Sequence, residues 1–111
     1  MTQESAATIV DVASLVRSKN AGPFWITLDV FCDTDDAYEL VSAPGVVTQE
    51  RIADVYGVDP SFVRVFRLPE LRVVKVSFPR RHPQGSVRDR DMHAGQQHIP
   101  LSRLPLSARM R

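Results

Sequence analysis

The segment Phe24 to Phe31, FWITLDVF, constrains the fold more than any other part of the chain. Read with a period of two, Phe24, Ile26, Leu28 and Val30 fall on one face. Trp25, Thr27, Asp29 and Phe31 fall on the other. Such alternation among β-branched and aromatic residues predicts a strand. Asp29 is the odd member, because a carboxylate in mid-strand costs free energy unless it meets water or a partner. Two arrangements satisfy it: an exposed edge of an antiparallel sheet, or a cleft shared with another surface.

Immediately upstream stands Arg17-Ser18-Lys19-Asn20-Ala21-Gly22. Before it, Ile9, Val12, Ala13 and Val16 recur at helical spacing, which predicts a helix from Ala7 to Arg17. Asn20 and Gly22 tolerate positive φ and end it, and Pro23 prevents continuation. The segment then becomes a charged loop at the mouth of the strand. Arg17 and Lys19 supply cationic donors and Asn20 a neutral one, a set suited to carboxylate or phosphate. Neither GxxxxGK[ST] nor GxGxxG is present, so the loop is not a nucleotide fingerprint. The same residues also suit a plain helix C-terminus, where Arg and Lys favour the dipole.

Downstream, Thr34 is placed to cap a helix whose first turn carries Asp35 and Asp36 and whose inward stripe is Ala37, Leu40 and Val41. Pro44-Gly45 breaks it. Thr48 opens a second helix with Ile52, Val55 and Tyr56 as its apolar face and Gly57 beyond its end. Strands are expected over Ser61–Leu68 and Leu71–Phe78, joined by a short turn and stopped by Pro79. Apolar residues nearly vanish from Arg80 to His98, predicting a long loop that serves function or docking. Ile99 to Leu106 is read as a final strand, with residues 1–7 and 107–111 as loose tails. The sum is one α+β domain: a small, largely antiparallel sheet with helices on one face, a ferredoxin-like variant being the specific expectation.

At 111 residues the chain has the size of one small domain, with little room to enclose a large active site in one copy. Its 43% hydrophobic and 24% charged content is that of a globular protein. Fourteen basic residues against 13 acidic ones leave a formal charge of +1, which argues against nonspecific nucleic-acid binding. Acidic residues crowd the first half and arginines the second, a division that suits either a subunit interface or separately solvated faces. The single cysteine, Cys32, excludes an internal disulfide and a cysteine metal cluster, and its place on the strand makes it a small core residue. No apolar run approaches a membrane span and the start MTQESAATIV lacks signal-peptide character, so a cytoplasmic protein is expected.

A second polar stretch is Arg88 to His98, RDRDMHAGQQH. Histidine works as an acid or base near neutral pH, which makes His93 and His98 candidates for proton transfer beside Asp91. Gln96 and Gln97 can hydrogen-bond a carbonyl or carboxamide. The spacing matches neither HExxH nor a facial triad, so no metal and no other cofactor is assigned. These polar residues equally suit a solvated loop bonding its own backbone.

At these two stretches the chain resembles a family of small bacterial and archaeal proteins known as a domain of unknown function. The family pattern has an RSKNAGPF segment, a TLD strand, an acidic helix start, a GV-T/S helix ending in YG, and a late GAQQH-x-P-L segment. Here these read Arg17–Phe24, Thr27–Asp29, Asp33–Tyr38, Gly45–Gly57 and Asp89–Leu101. The chain departs from the pattern at Met92-His93-Ala94-Gly95, where a tyrosine-bearing run is expected, so an aromatic hydroxyl is lacking there.

The resemblance implies a companion, a larger subunit similar to the acyclic terpene utilisation proteins. It also implies catabolism of small branched acids or their coenzyme A thioesters by hydration or lyase chemistry. The resulting expectation is the small subunit of a two-component hydratase or lyase, active in an oligomer. Catalytic residues would be His98, His93, Asp91 and Lys19, with Arg17, Ser18, Asn20, Gln96 and Gln97 binding a small acid or acyl-coenzyme A. The alternatives are a noncatalytic structural or regulatory partner and a standalone homo-oligomeric enzyme. Nucleic acid and membrane are not among the expected partners.

Overall fold

A computed structural model describes residues 7–79 and 98–106. The chain begins with a one-turn helix, α1 (Ile9–Val12), and passes directly into strand β1 (Leu15–Asn20). A tight turn leads to β2 (Trp25–Phe31), followed by helices α2 (Asp35–Ser42) and α3 (Gln49–Tyr56). A 3-10 turn over Pro60–Phe62 precedes β3 (Arg64–Leu68), then β4 (Val73–Pro79), and α4 (His98–Ser102) completes the described chain. The four strands form one antiparallel sheet in the order β1-β2-β4-β3.

Alternation along β2 and β4 decides where the core lies. Ile26, Leu28 and Val30 join Val74, Val76 and Phe78 in a cluster with Tyr38, Val41, Ile52 and Leu101 from the helices. The helices therefore cover one face of the sheet, as expected for this α+β class. Cys32 lies in the same cluster, 7% exposed.

Local signals set the helix ends. The Thr34 hydroxyl accepts from the Ala37 amide, and the Thr48 hydroxyl from the Arg51 amide. Gly57 ends α3 in the left-handed region at φ 70°, where a Cβ would be strained. The inward stripes differ in detail. Tyr38 and Val41 point in from α2 while Leu40 is 49% exposed, and Ile52 and Ala53 point in from α3 while Val55 is 39% exposed.

Two elements differ from the expectation. The predicted helix over Ala7–Arg17 holds only through Val12, and Leu15–Asn20 is an edge strand paired with β2 from Leu15↔Phe31 to Asn20↔Ile26. Pairing with a strongly β-forming neighbour outweighs the weak helical spacing of β-branched residues. Ile99 to Leu106 is not a strand. It contains α4, whose Leu101 is buried, and then an isolated bridge between Pro105 and Thr8. Pro100 lies in the first turn of α4, where its missing N–H has no intrahelical partner to lose.

The topology is also not ferredoxin-like. That fold repeats a split β-α-β unit twice. Here β2, the two helices, β3 and β4 form one such unit, with β4 between β2 and β3. But β1 joins β2 by a hairpin instead of a second crossover helix. The long loop expected at 80–98 falls outside the described residues, apart from His98 at the start of α4. The expected tails fall outside them as well, apart from residue 7.

Candidate functional site

The RSKN segment is a strand, and a strand deals successive side chains to opposite faces. Ser18 pairs across from Leu28 and Asn20 from Ile26, so both share the helix-covered face. Arg17 pairs with Asp29 and Lys19 with Thr27 on the opposite, open face. The structure thus divides the expected anion site in two. Arg17 and Lys19 belong to one surface, and Ser18 and Asn20 to the other.

The open face is built in rows that run across the sheet. One row is Arg17, Asp29, Lys75 and Phe66. The next is Lys19, Thr27, Ser77 and Arg64. Together they carry four cations over one carboxylate.

Asp29 lies on a central strand, 2% exposed, so it meets neither an exposed edge nor an open cleft. Its Oδ1 is 3.2 Å from Lys75 Nζ, and its Oδ2 3.5 Å from Arg17 Nε. The Lys75 contact is an ion pair without hydrogen-bond geometry, which leaves Oδ1 short of a directed donor. Both cations reach solvent, so their attraction to Asp29 is partly screened.

Aromatic rings frame these rows. The Arg17 guanidinium carbon is 4.9 Å from the centre of the Phe31 ring, and that of Arg64 is 5.6 Å from the Trp25 ring. Both distances are in the cation–π range. Phe66 is 45% exposed on the same face. Among the described residues, Lys19 and Arg64 pair with no carboxylate. Sequence reading did not single out Thr27, Arg64, Lys75 or Ser77 as site residues. The alternation of Val74, Val76 and Phe78 against Lys75 and Ser77 was the available signal.

The other surface of β1 faces α4, which begins at His98 and packs against both β1 and α3. The end of the second polar stretch is thereby brought beside the face that carries Ser18 and Asn20. Asp91, His93, Gln96 and Gln97 lie outside the described residues. The Tyr56 hydroxyl accepts a 3.0 Å hydrogen bond from the Leu101 amide and ties α4 to α3. Burial pushes the Tyr56 hydroxyl well above its ordinary value, against the opposing effect of that amide. Burial, and then the charge of Asp33, push the Cys32 thiol up, so it is a poor nucleophile.

A groove of about 580 Å³ runs between the start of α3 and β3. Its polar walls are already engaged: Gln49 Nε2 donates to the Val63 carbonyl at 2.7 Å, and Arg67 to the Val47 carbonyl at 2.9 Å. It contains none of the expected site residues. Among the described residues, no group of three or more His, Cys, Asp or Glu side chains could hold a metal ion. No described helix is long and apolar enough to cross a membrane.

These features define a small α+β domain whose antiparallel sheet shields its core on one side and presents cations and aromatic rings on the other. The chain belongs to the family described as domain of unknown function DUF4387, whose model matches residues 9–105. No curated protein and no solved structure matches it.

Proposed function

We propose that this chain is the small subunit of a two-component hydratase or lyase acting on a small carboxylic acid or its coenzyme A thioester. Its companion would be a larger subunit similar to the acyclic terpene utilisation proteins, which the motifs of this family imply. The observation that carries the reading is that β1, the strand formed by the RSKN segment, is contacted by α4, the helix that begins at His98.

Among the described residues β1 ends the sheet, and a subunit laid along that edge would touch both faces at once. Arg17 and Lys19 would then attract the substrate anion from the open face. Ser18 and Asn20 would lie on the other face, the one that α4 packs against. Hydration needs a proton moved at the α-carbon and an oxyanion stabilised, and these residue types can do both. A chain of 111 residues has little room to enclose a large cleft, which supports a site completed by a second subunit.

The test is turnover by the reconstituted pair. Lys19→Ala and His98→Ala, made separately, should each abolish it while leaving complex formation intact. Full activity in both variants would overturn the site assignment. A chain that stays uncomplexed when mixed with the larger protein would overturn the two-component reading.

A further inference from the structure

We infer that the open face of the sheet binds the phosphorylated nucleotide end of the substrate, the adenosine phosphates of a coenzyme A thioester. The inference rests on the thioester form of the function proposed above and assigns Lys19 and this face to the nucleotide end of that ligand, tested on this chain alone.

The row Lys19–Thr27–Ser77–Arg64 places two hydroxyls between two cations. Strands are spaced by about 4.8 Å, so the hydroxyls are close neighbours and the two long side chains can fold over them from the outer strands. Among the described residues neither hydroxyl is engaged in a side-chain hydrogen bond. Lys75, one row away, is a further cation, 37% exposed in its side chain. Hydroxyl donors flanked by Lys and Arg suit phosphate oxygens, and Arg adds a fork matched to their geometry.

The carboxylate of the face does not cancel this field. Asp29 is buried beneath Lys75 and Arg17, where it offsets one cation and leaves the others in excess. A ligand of opposite charge is therefore what the surface complements.

Phosphate alone would not use the rings. Trp25 lies two residues from Thr27 on the same face, and Phe66 two residues from Arg64. A planar base can stack on either ring, as bases do in proteins that hold nucleotides on aromatic platforms. Phosphates with an attached purine fit the whole surface, whereas a simple carboxylate would use only its cations.

Calorimetric titration of the full chain at low ionic strength tests this directly. The probes are coenzyme A, adenosine 3′,5′-bisphosphate, ADP, pantetheine and inorganic phosphate. Coenzyme A and the bisphosphate should bind with affinities within about threefold of each other, and pantetheine should give no signal. Trp25, the single tryptophan, should report the same binding by fluorescence.

Lys19→Gln with Arg64→Gln should weaken both ligands by at least about tenfold. Both side chains are exposed, so these variants keep the fold, which circular dichroism verifies. ADP binding more tightly than coenzyme A would overturn the assignment to a thioester. Inorganic phosphate binding as tightly as the bisphosphate would overturn the role of the rings. Wild-type affinity in the double variant, no binding at millimolar ligand, or a single-stranded oligonucleotide outcompeting coenzyme A would overturn the inference as a whole. The larger subunit is absent from every titration. Failure of the pair to assemble or turn over would thus leave this result standing, and loss of nucleotide binding would leave the two-component reading with a free acid as its substrate.

Discussion

Asp29 and Lys75 face each other across the β2–β4 ladder, with Oδ1 and Nζ 3.2 Å apart. The carboxylate side chain is 3% exposed and the ammonium side chain 37%, so one member of the pair is buried and the other wet. A buried carboxylate is tolerable only with cations at hand, and this pair, with Arg17, holds one at the centre of the open face.

Removing the buried member leaves Lys75 and Arg17 without their shared counter-charge. Asp29→Ala should destabilise the chain by about 1–3 kcal/mol in urea denaturation. The coupling with Lys75→Ala in a double-mutant cycle should be below about 1 kcal/mol, because Lys75 is open to solvent. Zero coupling would show that Asp29 is held by some other means.

Arg72 sits at φ 54° in the turn between β3 and β4, the single non-glycine residue with positive φ among those described. It also forms a 2.8 Å ion pair with Asp35, and its carbonyl accepts from the Cys32 amide. Arg72→Ala and Arg72→Gly both lose the ion pair, but glycine escapes the steric cost of the left-handed region. Arg72→Gly should therefore be the more stable of the two by about 1 kcal/mol in thermal or urea melts. Equal stability would mean that the backbone there stores no strain.

Tyr56 gives stability an alkaline limit. Its proton is held more tightly in the folded chain than at the ordinary value of 10.0. Above that pH the unfolded chain releases the proton first, so the folded state binds more protons and stability falls as pH rises. Tyr56→Phe should flatten this decline. At neutral pH it should cost about 1–2 kcal/mol, because the Leu101 amide loses its acceptor. A chain whose stability shows the same alkaline decline with phenylalanine at this position would contradict the assignment.

How far the fold was legible in the sequence depends on the range of the interactions that decide each element. β2 was readable because its alternation is strict over seven residues, and α2 and α3 because Thr34, Thr48 and Gly57 signal their ends within one turn. β1 was missed because Val12, Ala13 and Val16 mimic a helical stripe. Its own alternation, Leu15, Arg17 and Lys19 against Val16, Ser18 and Asn20, carries polar residues on both faces. A strand of that kind is specified by its neighbour rather than by itself. The α4 segment was misread because two prolines obscured the spacing of Leu101 and Leu104, both of which are buried.

The candidate site shows the same division. Asp29 stood out in the sequence as a misplaced charge, and the RSKN and GQQH stretches stood out by their composition. Their relation to one another did not, since adjacency across strands depends on register and pairing order rather than on position along the chain.

The sequence by itself determined the α+β class, the strand at the centre of the sheet, the ends of α2 and α3, and the chemical character of the polar segments. These follow from local periodicity and capping, which act over a few residues. Tertiary structure alone decided that Arg17 and Lys19 part company with Ser18 and Asn20, that Asp29 is buried between two cations, and that Thr27, Ser77, Lys19 and Arg64 share one row. The physical reason is sheet register: hydrogen bonding between distant segments sets which side chains meet, and no local propensity encodes it.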